Sequence, residues 1–271
     1  MNAPILNAMR AYLARRDFMV IDKALHDRVF SDFQLSAARN QIRYSLKSLP
    51  EAFVSVYEGV KDYTMTPPER LYSFCDAADY VARENIPGAI VECGTWLGGG
   101  MMGVARWLQA QGREPRDLYL CDTFAGHPKP DAKIDIDIHG VPAIRHWEKF
   151  KVSETESNWA VAEIEAVRAN MASTGYSPEH MHFVKGRVED TLPAGISGPV
   201  SILRIDTDWY ASIIHIMRAL YDRIPVGGVL IFDDYGHFAG ARQAVDDFYA
   251  ERGEKPLLVR TDYSCCTTIK R

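Results

Sequence analysis

The chain has no run of eighteen apolar residues, so nothing in it reads as a membrane span. The first residues, Met1 to Met19, are interrupted by Arg10, Arg15, Arg16 and Asp17, so the apolar centre of a secretory signal is missing. Cysteine is scarce and unpatterned. Cys75, Cys93, Cys121, Cys265 and Cys266 form no C-x-x-C pair, and their odd number argues against both a structural zinc and a disulfide framework. Three of them sit in or beside apolar runs and read as small core residues. No basic run stands out: 31 Lys+Arg face 36 Asp+Glu, a formal net charge of -5, which leaves no nucleic-acid footprint. Internal repeats and low-complexity tracts are absent. The expectation is a cytoplasmic protein whose partner is a small molecule, with no nucleic acid and no membrane.

What is present suits one globular domain with a helical extension: 271 residues, 47% of them hydrophobic. Residues 3 to 60 have helical spacing, with Leu6, Met9 and Leu13, then Ile42, Leu46, Leu49, Phe53 and Val56 at three- and four-residue steps. A further helix is predicted over 69–85, behind Pro67 and Pro68. From Ala89 the pattern changes. Short buried-strand runs at 89–93, 118–122, 181–184, 200–206 and 228–232 alternate with helical stretches at 100–111, 157–173, 212–223 and 240–251. Two short strands near 257–259 and 266–269 close the chain. Such alternation predicts an α/β fold, a mostly parallel sheet covered on both faces. The domain boundary is placed at residue 60, with 1–60 as a helical cover or dimer contact in an expected homo-oligomer.

Sheets of this kind bind ligands beyond the carboxyl ends of their strands. Four predicted strand ends carry an acid or a glycine there: Glu92-Cys93-Gly94, Asp122, Asp206 and Asp233-Asp234. The run Glu92-Cys93-Gly94-Thr95-Trp96-Leu97-Gly98-Gly99-Gly100 supplies glycines for a tight turn and close backbone approach, ahead of a helix N-terminus. It is not G-x-G-x-x-G, and no G-K-[ST] follows, which disfavours a nucleoside-triphosphate loop. Asp122, 22 residues after Gly100, is placed to accept from ribose hydroxyls. A packing turn and a loop acid would produce the same residues, and a nicotinamide dinucleotide would fit them too. After the third strand, the Val188 N–H and Glu189 are placed to read an adenine edge, or they simply lead into a capped helix.

Asp206, Asp233 and Asp234 end neighbouring strands, which lie about 4.8 Å apart in a sheet. Converging carboxylates raise one another's pKa values, and a divalent cation relieves the conflict. An all-oxygen set favours Mg²⁺, Mn²⁺ or Ca²⁺. Such a cation would lower the pKa of a bound hydroxyl. Asp206 and Asp208 are the candidate bases, with His237 in reserve; His139, His146 and His215 have weaker claims.

These residues resemble the macrocin O-methyltransferase family, which includes sugar methyltransferases of tylosin, mycinamicin and novobiocin biosynthesis. The similar stretches are Tyr63-Thr64-Met65-Thr66, Val91-Glu92-Cys93-Gly94-Thr95-Trp96, Asp122-Thr123-Phe124-Ala125-Gly126-His127-Pro128, Asp190-Thr191-Leu192-Pro193, Ile205-Asp206-Thr207-Asp208-Trp209-Tyr210 and Asp233-Asp234-Tyr235-Gly236. The resemblance spans roughly residues 60 to 271 and implies a class I S-adenosylmethionine-dependent methyltransferase, Rossmann-like, with seven strands. It implies Mg²⁺ on Asp206, Asp233 and Asp234, and the cofactor on Thr64, Met65, Glu92, Gly94, Asp122 and the stretch at Gly186. Thr95, Thr123, Phe124, Val188, Glu189 and Asp206 are expected to complete that cofactor site, and Tyr210 and Tyr235 to face the acceptor. The implied reaction is methylation of a sugar hydroxyl in a glycosylated natural product.

Two departures stand out. Arg187 replaces a larger apolar or aromatic residue. Lys129 to Glu156 match no pattern and are read as a substrate lid, since a loop this long is usually functional or disordered. Asp131, Asp135 and Asp137 do not make a calcium loop, because Lys133 takes a ligand position and the glycine is missing. The alternatives are a catechol or phenol O-methyltransferase, a nicotinamide-dependent oxidoreductase and a non-catalytic binding module.

Overall fold

A computed structural model describes residues 46–271. The helices expected over 3–45 and the dimer contact assigned to them lie outside these residues. Leu49–Arg271 form one compact unit. Its elements, in chain order, are α1 (Glu51–Glu58), α2 (Pro68–Arg83), β1 (Ala89–Cys93), α3 (Gly99–Ala110), β2 (Leu118–Asp122), α4 (Ile144–Trp147), α5 (Ile164–Ala172), β3 (Met181–Lys185), α6 (Val188–Thr191), β4 (Val200–Ile205), α7 (Tyr210–Leu220), β5 (Val229–Phe232), α8 (Ala239–Glu251), β6 (Val259–Arg260) and β7 (Cys266–Ile269).

The seven strands form one sheet in the order β3-β2-β1-β4-β5-β7-β6. The first five are parallel, and β7 runs antiparallel to both β5 and β6. The period-two alternation of strand side chains divides the core in two. Val91, Cys93, Leu203, Ile205, Leu230 and Phe232 face α7 and α8, whose Ile213, Met217, Ala244 and Phe248 recur at helical spacing. Ile90, Leu120, Ile202 and Ile231 face α1, α2, α3 and α5, through Phe53, Phe74, Met101 and Met171. The strand order reverses between β1 and β4, which puts the switch point of this α/β sheet directly above those strand ends. α2 begins with Pro68 in its first turn, carries Glu69 there and ends on Arg83, the arrangement favoured by the helix dipole.

One expectation changes. The helix predicted over 157–173 is confined to Ile164–Ala172. Residues before it fold back on the loop after β2: the Ser157 hydroxyl donates to the His127 carbonyl at 2.9 Å, and the His127 N–H donates to the Trp159 carbonyl at 3.1 Å. Trp159 then packs beside the rings of His127, His146 and Trp209, so tertiary contacts override local helix propensity. The 129–156 segment is anchored at its middle. Trp147 is fully buried and its indole donates to the His127 carbonyl at 2.9 Å, while buried Asp135 accepts from the backbone N–H groups of Tyr210 and Asp131.

Candidate active site

A cavity of about 390 Å³ opens over the carboxyl ends of β1, β2, β4 and β5. At its floor the ends of β1 and β4 nearly touch. Gly94 has φ +86°, and a Cβ there would lie 1.8 Å from the Asp206 carbonyl oxygen, so only glycine closes this corner. Four non-glycine residues at or beside the cavity also have positive φ: Trp96, Phe124, Ala160 and Asp208. Backbone strain of this kind persists where the surrounding fold over-determines it, and it gathers at functional sites.

Asp122 ties together the turns after β1 and β2. One carboxylate oxygen accepts from the N–H groups of Thr95 at 2.7 Å and Trp96 at 3.1 Å, the other from Phe124 N–H at 2.9 Å. The carboxylate is thus locked between the β1 turn and the β2 turn. Thr64, Met65, Glu92, Gly94, Thr95, Asp122, Thr123, Gly186, Val188, Glu189 and Asp206 all line the cavity. Phe124 does not: its ring is buried in the core, and only its main chain reaches Asp122. Replacing Asp122 by Ala should weaken binding of S-adenosylhomocysteine by about 100-fold or more, since charge-assisted hydrogen bonds are involved. Titration calorimetry of the folded variant checks this, and an unchanged affinity would remove Asp122 from the cofactor site.

Behind the cofactor wall lies a buried charge network. Glu92 and Arg204 are register partners on β1 and β4, and their side chains pair directly. Arg204 also reaches Asp233 at 2.6 Å, Asp206 at 2.8 Å and the Thr66 hydroxyl at 3.0 Å. Arg70 from α2 pairs with the other oxygen of Asp233 and with Asp262 at 2.7 Å. Burial opposes charge on Asp233, but Arg204 and Arg70 together hold its pKa below the usual carboxylate value. Burial pushes Glu92 up to about 7 despite Arg204.

This network engages Asp233, one of the three acids expected to hold a cation. Asp233 is taken up by two guanidinium groups, and the acids that converge are Asp206, Asp208 and Asp234, with carboxylate oxygens all within 4.8 Å of one another. The residue after Asp233 turns its carboxylate into the cleft, and the positive φ of Asp208 brings a loop acid back over the β4 end. Desolvation, with the neighbouring carboxylates, raises Asp206 and Asp234 well above their ordinary values and Asp208 to about 7. Asp234 Oδ2 is buried with no hydrogen-bonding partner. An unpartnered buried carboxylate oxygen within a cluster of acids fits a hard divalent cation such as Mg²⁺.

Among the base candidates, Asp206, Asp208 and His237 all line the cavity. His127 adds a partner outside that set. Its Nε2 lies 3.2 Å from Asp208, and burial lowers its pKa to about 4, so at neutral pH it is an uncharged orienting group. Neither expected acceptor tyrosine lines this cavity. The hydroxyls of Tyr210 and Tyr235 turn toward α8, donating to Asp247 at 3.0 Å and Asp246 at 2.8 Å. Tyr210 instead borders an adjoining cavity of about 320 Å³, together with Lys129, Pro130, Asp131, Ile134 and Asp135. Those five are the part of the 129–156 segment that meets a cavity, and none of the segment lines the main one. His139, His146 and His215 lie outside both cavities. Sequence reasoning missed Arg70, Arg204, Trp159 and Tyr263. Arg204 had a signal, a charge inside an apolar strand run; the others had none.

The strand order, with a cavity at the β1–β4 switch point, is that of the class I methyltransferase fold. The Macrocin-O-methyltransferase (TylF) family profile matches residues 21–270, and the chain belongs to that family: it is an S-adenosylmethionine-dependent O-methyltransferase. It is 31% identical over 191 residues to an 8-demethyl-8-(2,3-dimethoxy-alpha-L-rhamnosyl)-tetracenomycin-C 4'-O-methyltransferase of Streptomyces olivaceus, covering 70% of this chain and 69% of that one. It is also 31% identical over 189 residues to a demethyldecarbamoylnovobiocin O-methyltransferase of Streptomyces niveus, covering 70% and 68%. Among solved structures, the O-methyltransferase NovP superposes with a TM-score of 0.64 at 27% identity, over 77% of this chain and 82% of that one. The calicheamicin methyltransferase CalS11, with a TM-score of 0.59 at 14% identity over 94% and 95%, shares the fold. The oxidoreductase and binding-module alternatives fall with this assignment. Among the described residues, no helix is long and apolar enough to cross a membrane.

Proposed function

We propose that this enzyme methylates a sugar hydroxyl of a glycosylated small molecule, with a divalent cation held by Asp206, Asp208 and Asp234. The observation that carries the cation is the three-acid cluster with the unpartnered Asp234 Oδ2. The sugar acceptor is supported by the relatives, one of which acts on a rhamnosyl-bearing tetracenomycin. S-adenosylmethionine, when bound, supplies an electrophilic methyl carbon on a sulfonium sulfur. The cation, when bound, lowers the pKa of a hydroxyl beside it.

The chain's own residues do the rest. Asp122 and the Gly94–Gly100 turn hold the nucleoside, and Gly186, Val188 and Glu189 border its outer part. The Arg204–Asp233–Arg70 network fixes the β4 and β5 ends, so the acids do not have to reorganise when an acceptor arrives. Asp208 receives the proton of the acceptor hydroxyl, held in place by His127. Much of the rate gain comes from aligning two reactants in one cleft.

Transfer of labelled methyl from S-adenosylmethionine to a panel of aryl deoxyhexosides tests this reading. EDTA should slow transfer by about 100-fold or more, with recovery on adding Mg²⁺. S-adenosylhomocysteine affinity should stay within about threefold, because Asp122 and the turn after β1 lie outside the acid cluster. Undiminished transfer in EDTA would remove the cation, and methylation of catechol in place of every glycoside would remove the sugar.

A further inference from the structure

Of the aromatic residues that line the cavity, Tyr263 is the exposed one, and the reaction chemistry does not use it. Tyr263 lies in the loop between β6 and β7 and lines the cavity beside Asp233, Asp234 and His237. Its ring is 61% exposed, and among the lining residues no other Phe, Tyr or Trp is exposed. An exposed aromatic by itself says little, because most folded surfaces carry some. What distinguishes this one is the rigidity of the backbone that presents it.

That backbone is fixed from four directions. The preceding Asp262 pairs with Arg70, and its other oxygen accepts from the N–H groups of Ser264 at 2.8 Å and Cys265 at 2.7 Å. The following Ser264 donates its hydroxyl to the Asp233 carbonyl at 2.7 Å and accepts from Gly236 N–H at 2.7 Å. Arg260 donates to the Tyr263 carbonyl at 2.9 Å. A Cβ at position 236 would lie 2.0 Å from that same carbonyl, so the glycine of Asp233-Asp234-Tyr235-Gly236 exists to admit this loop. The Tyr263 hydroxyl meets His237 Nδ1 at 3.3 Å, with the two rings edge-on at 5.9 Å. The loop is therefore clamped to the strand end that carries Asp234, while its ring stays open to the cleft.

An exposed ring on a fixed loop, in the same cavity as the acid cluster, suits a ligand with one polar edge and one apolar face. A pyranose has that shape: its axial C–H groups make an apolar face, and its hydroxyls lie around the rim. A deoxysugar, with a methyl group in place of a hydroxyl, has more apolar surface still. We infer that Tyr263 is the stacking platform for the acceptor's sugar ring, setting which hydroxyl reaches Asp208 and Asp234. The inference rests on the sugar-acceptor reading above and adds the residue that selects the sugar.

The test uses p-nitrophenyl α-L-rhamnopyranoside and p-nitrophenyl α-L-fucopyranoside as probes, with saturating S-adenosylmethionine and Mg²⁺. The full-length wild type is compared with Tyr263→Ala and Tyr263→Phe, each first checked for S-adenosylhomocysteine binding. Tyr263→Ala should raise the glycoside KM roughly tenfold with kcat within about threefold, as loss of an aromatic contact predicts. Tyr263→Phe should bring KM back to within about threefold, because the ring and not the hydroxyl makes the contact. If the wild type turns over a glycoside and Tyr263→Ala leaves KM unchanged, the platform is overturned and the sugar reading stands. If Phe fails to restore KM, the hydroxyl acts instead and stacking is overturned. A wild type that methylates neither glycoside overturns the sugar reading, and the platform with it.

Discussion

Asp234→Asn is expected to lower methyl transfer by about 1,000-fold while leaving S-adenosylhomocysteine affinity within about threefold, a loss of roughly 4 kcal/mol of transition-state stabilisation. The substitution keeps the shape of the side chain and removes one anionic oxygen from a cluster whose members lie within 4.8 Å. Asp234 is the informative position because its Oδ2 has no partner in the protein. Its neutralisation removes a ligand from the proposed cation and also changes the hydrogen bond it shares with Asp208. Asp208→Asn should match it, with one difference: His127 stands 3.2 Å from Asp208 and would lose its charged partner as well. Asp233→Asn should behave otherwise. It leaves the cluster intact but strips Arg70 and Arg204 of their shared carboxylate, so its main effect should fall on stability. Single-turnover rates with Mg²⁺, set beside cofactor calorimetry, separate the three variants. Activity in Asp234→Asn within tenfold of wild type would show that the acids hold no cation that matters to the chemistry.

Arg204→Met should cost about 3–5 kcal/mol of folding free energy, the usual consequence of removing one partner from a buried ion network. Arg204 is 2% exposed and pairs with one oxygen of Glu92, with Asp206 and with Asp233 at once. Without it, Glu92 is a fully enclosed carboxylate facing nothing of opposite charge. For a domain of this size the loss corresponds to a fall in melting temperature of roughly 6–20 °C. The pH dependence has a definite sign. Glu92 is already raised to about 7, and removing its cation raises it further. A carboxyl with a raised folded pKa destabilises only once ionised, so the penalty is absent below the unfolded value near 4.5 and grows as pH rises through the folded one. The variant should therefore lie closer to wild type at pH 5 than at pH 8 in urea unfolding. A penalty that is constant across this range would show that lost packing, not lost charge, is responsible.

Much of this molecule is legible in its residues. Four of the five parallel strands are short and almost wholly buried, as strands covered on both faces are, while β3 at the sheet edge is half-exposed. The acids and glycines at their carboxyl ends mark the cavity, since only there does the chain leave the sheet toward a ligand. Asp122 is a clear case: its place after the second strand suffices to put it opposite the Gly94–Gly100 turn. The family resemblance carried by the Asp-Thr-Asp and Asp-Asp-Tyr-Gly stretches agrees with the profile match over residues 21–270.

What the chain's order alone determined, then, is the layered sheet, the corner where the cavity opens and the presence of a carboxylate cluster. Which carboxylates form that cluster was decided by tertiary structure. Asp233 and Asp234 are neighbours that line the same cavity, but their partners differ. Asp233 pairs with Arg204 and Arg70, brought from β4 and α2. Asp234 meets Asp206 and Asp208, the last carried by a left-handed turn that strand alternation does not place. Tyr210 and Tyr235 turned away for a similar reason: α8 presents Asp246 and Asp247 to their hydroxyls, a contact between segments distant in sequence. Charge pairing across the fold has no period along the chain. It depends on which side chains the sheet brings within a few ångströms, and that is known only once the chain is folded.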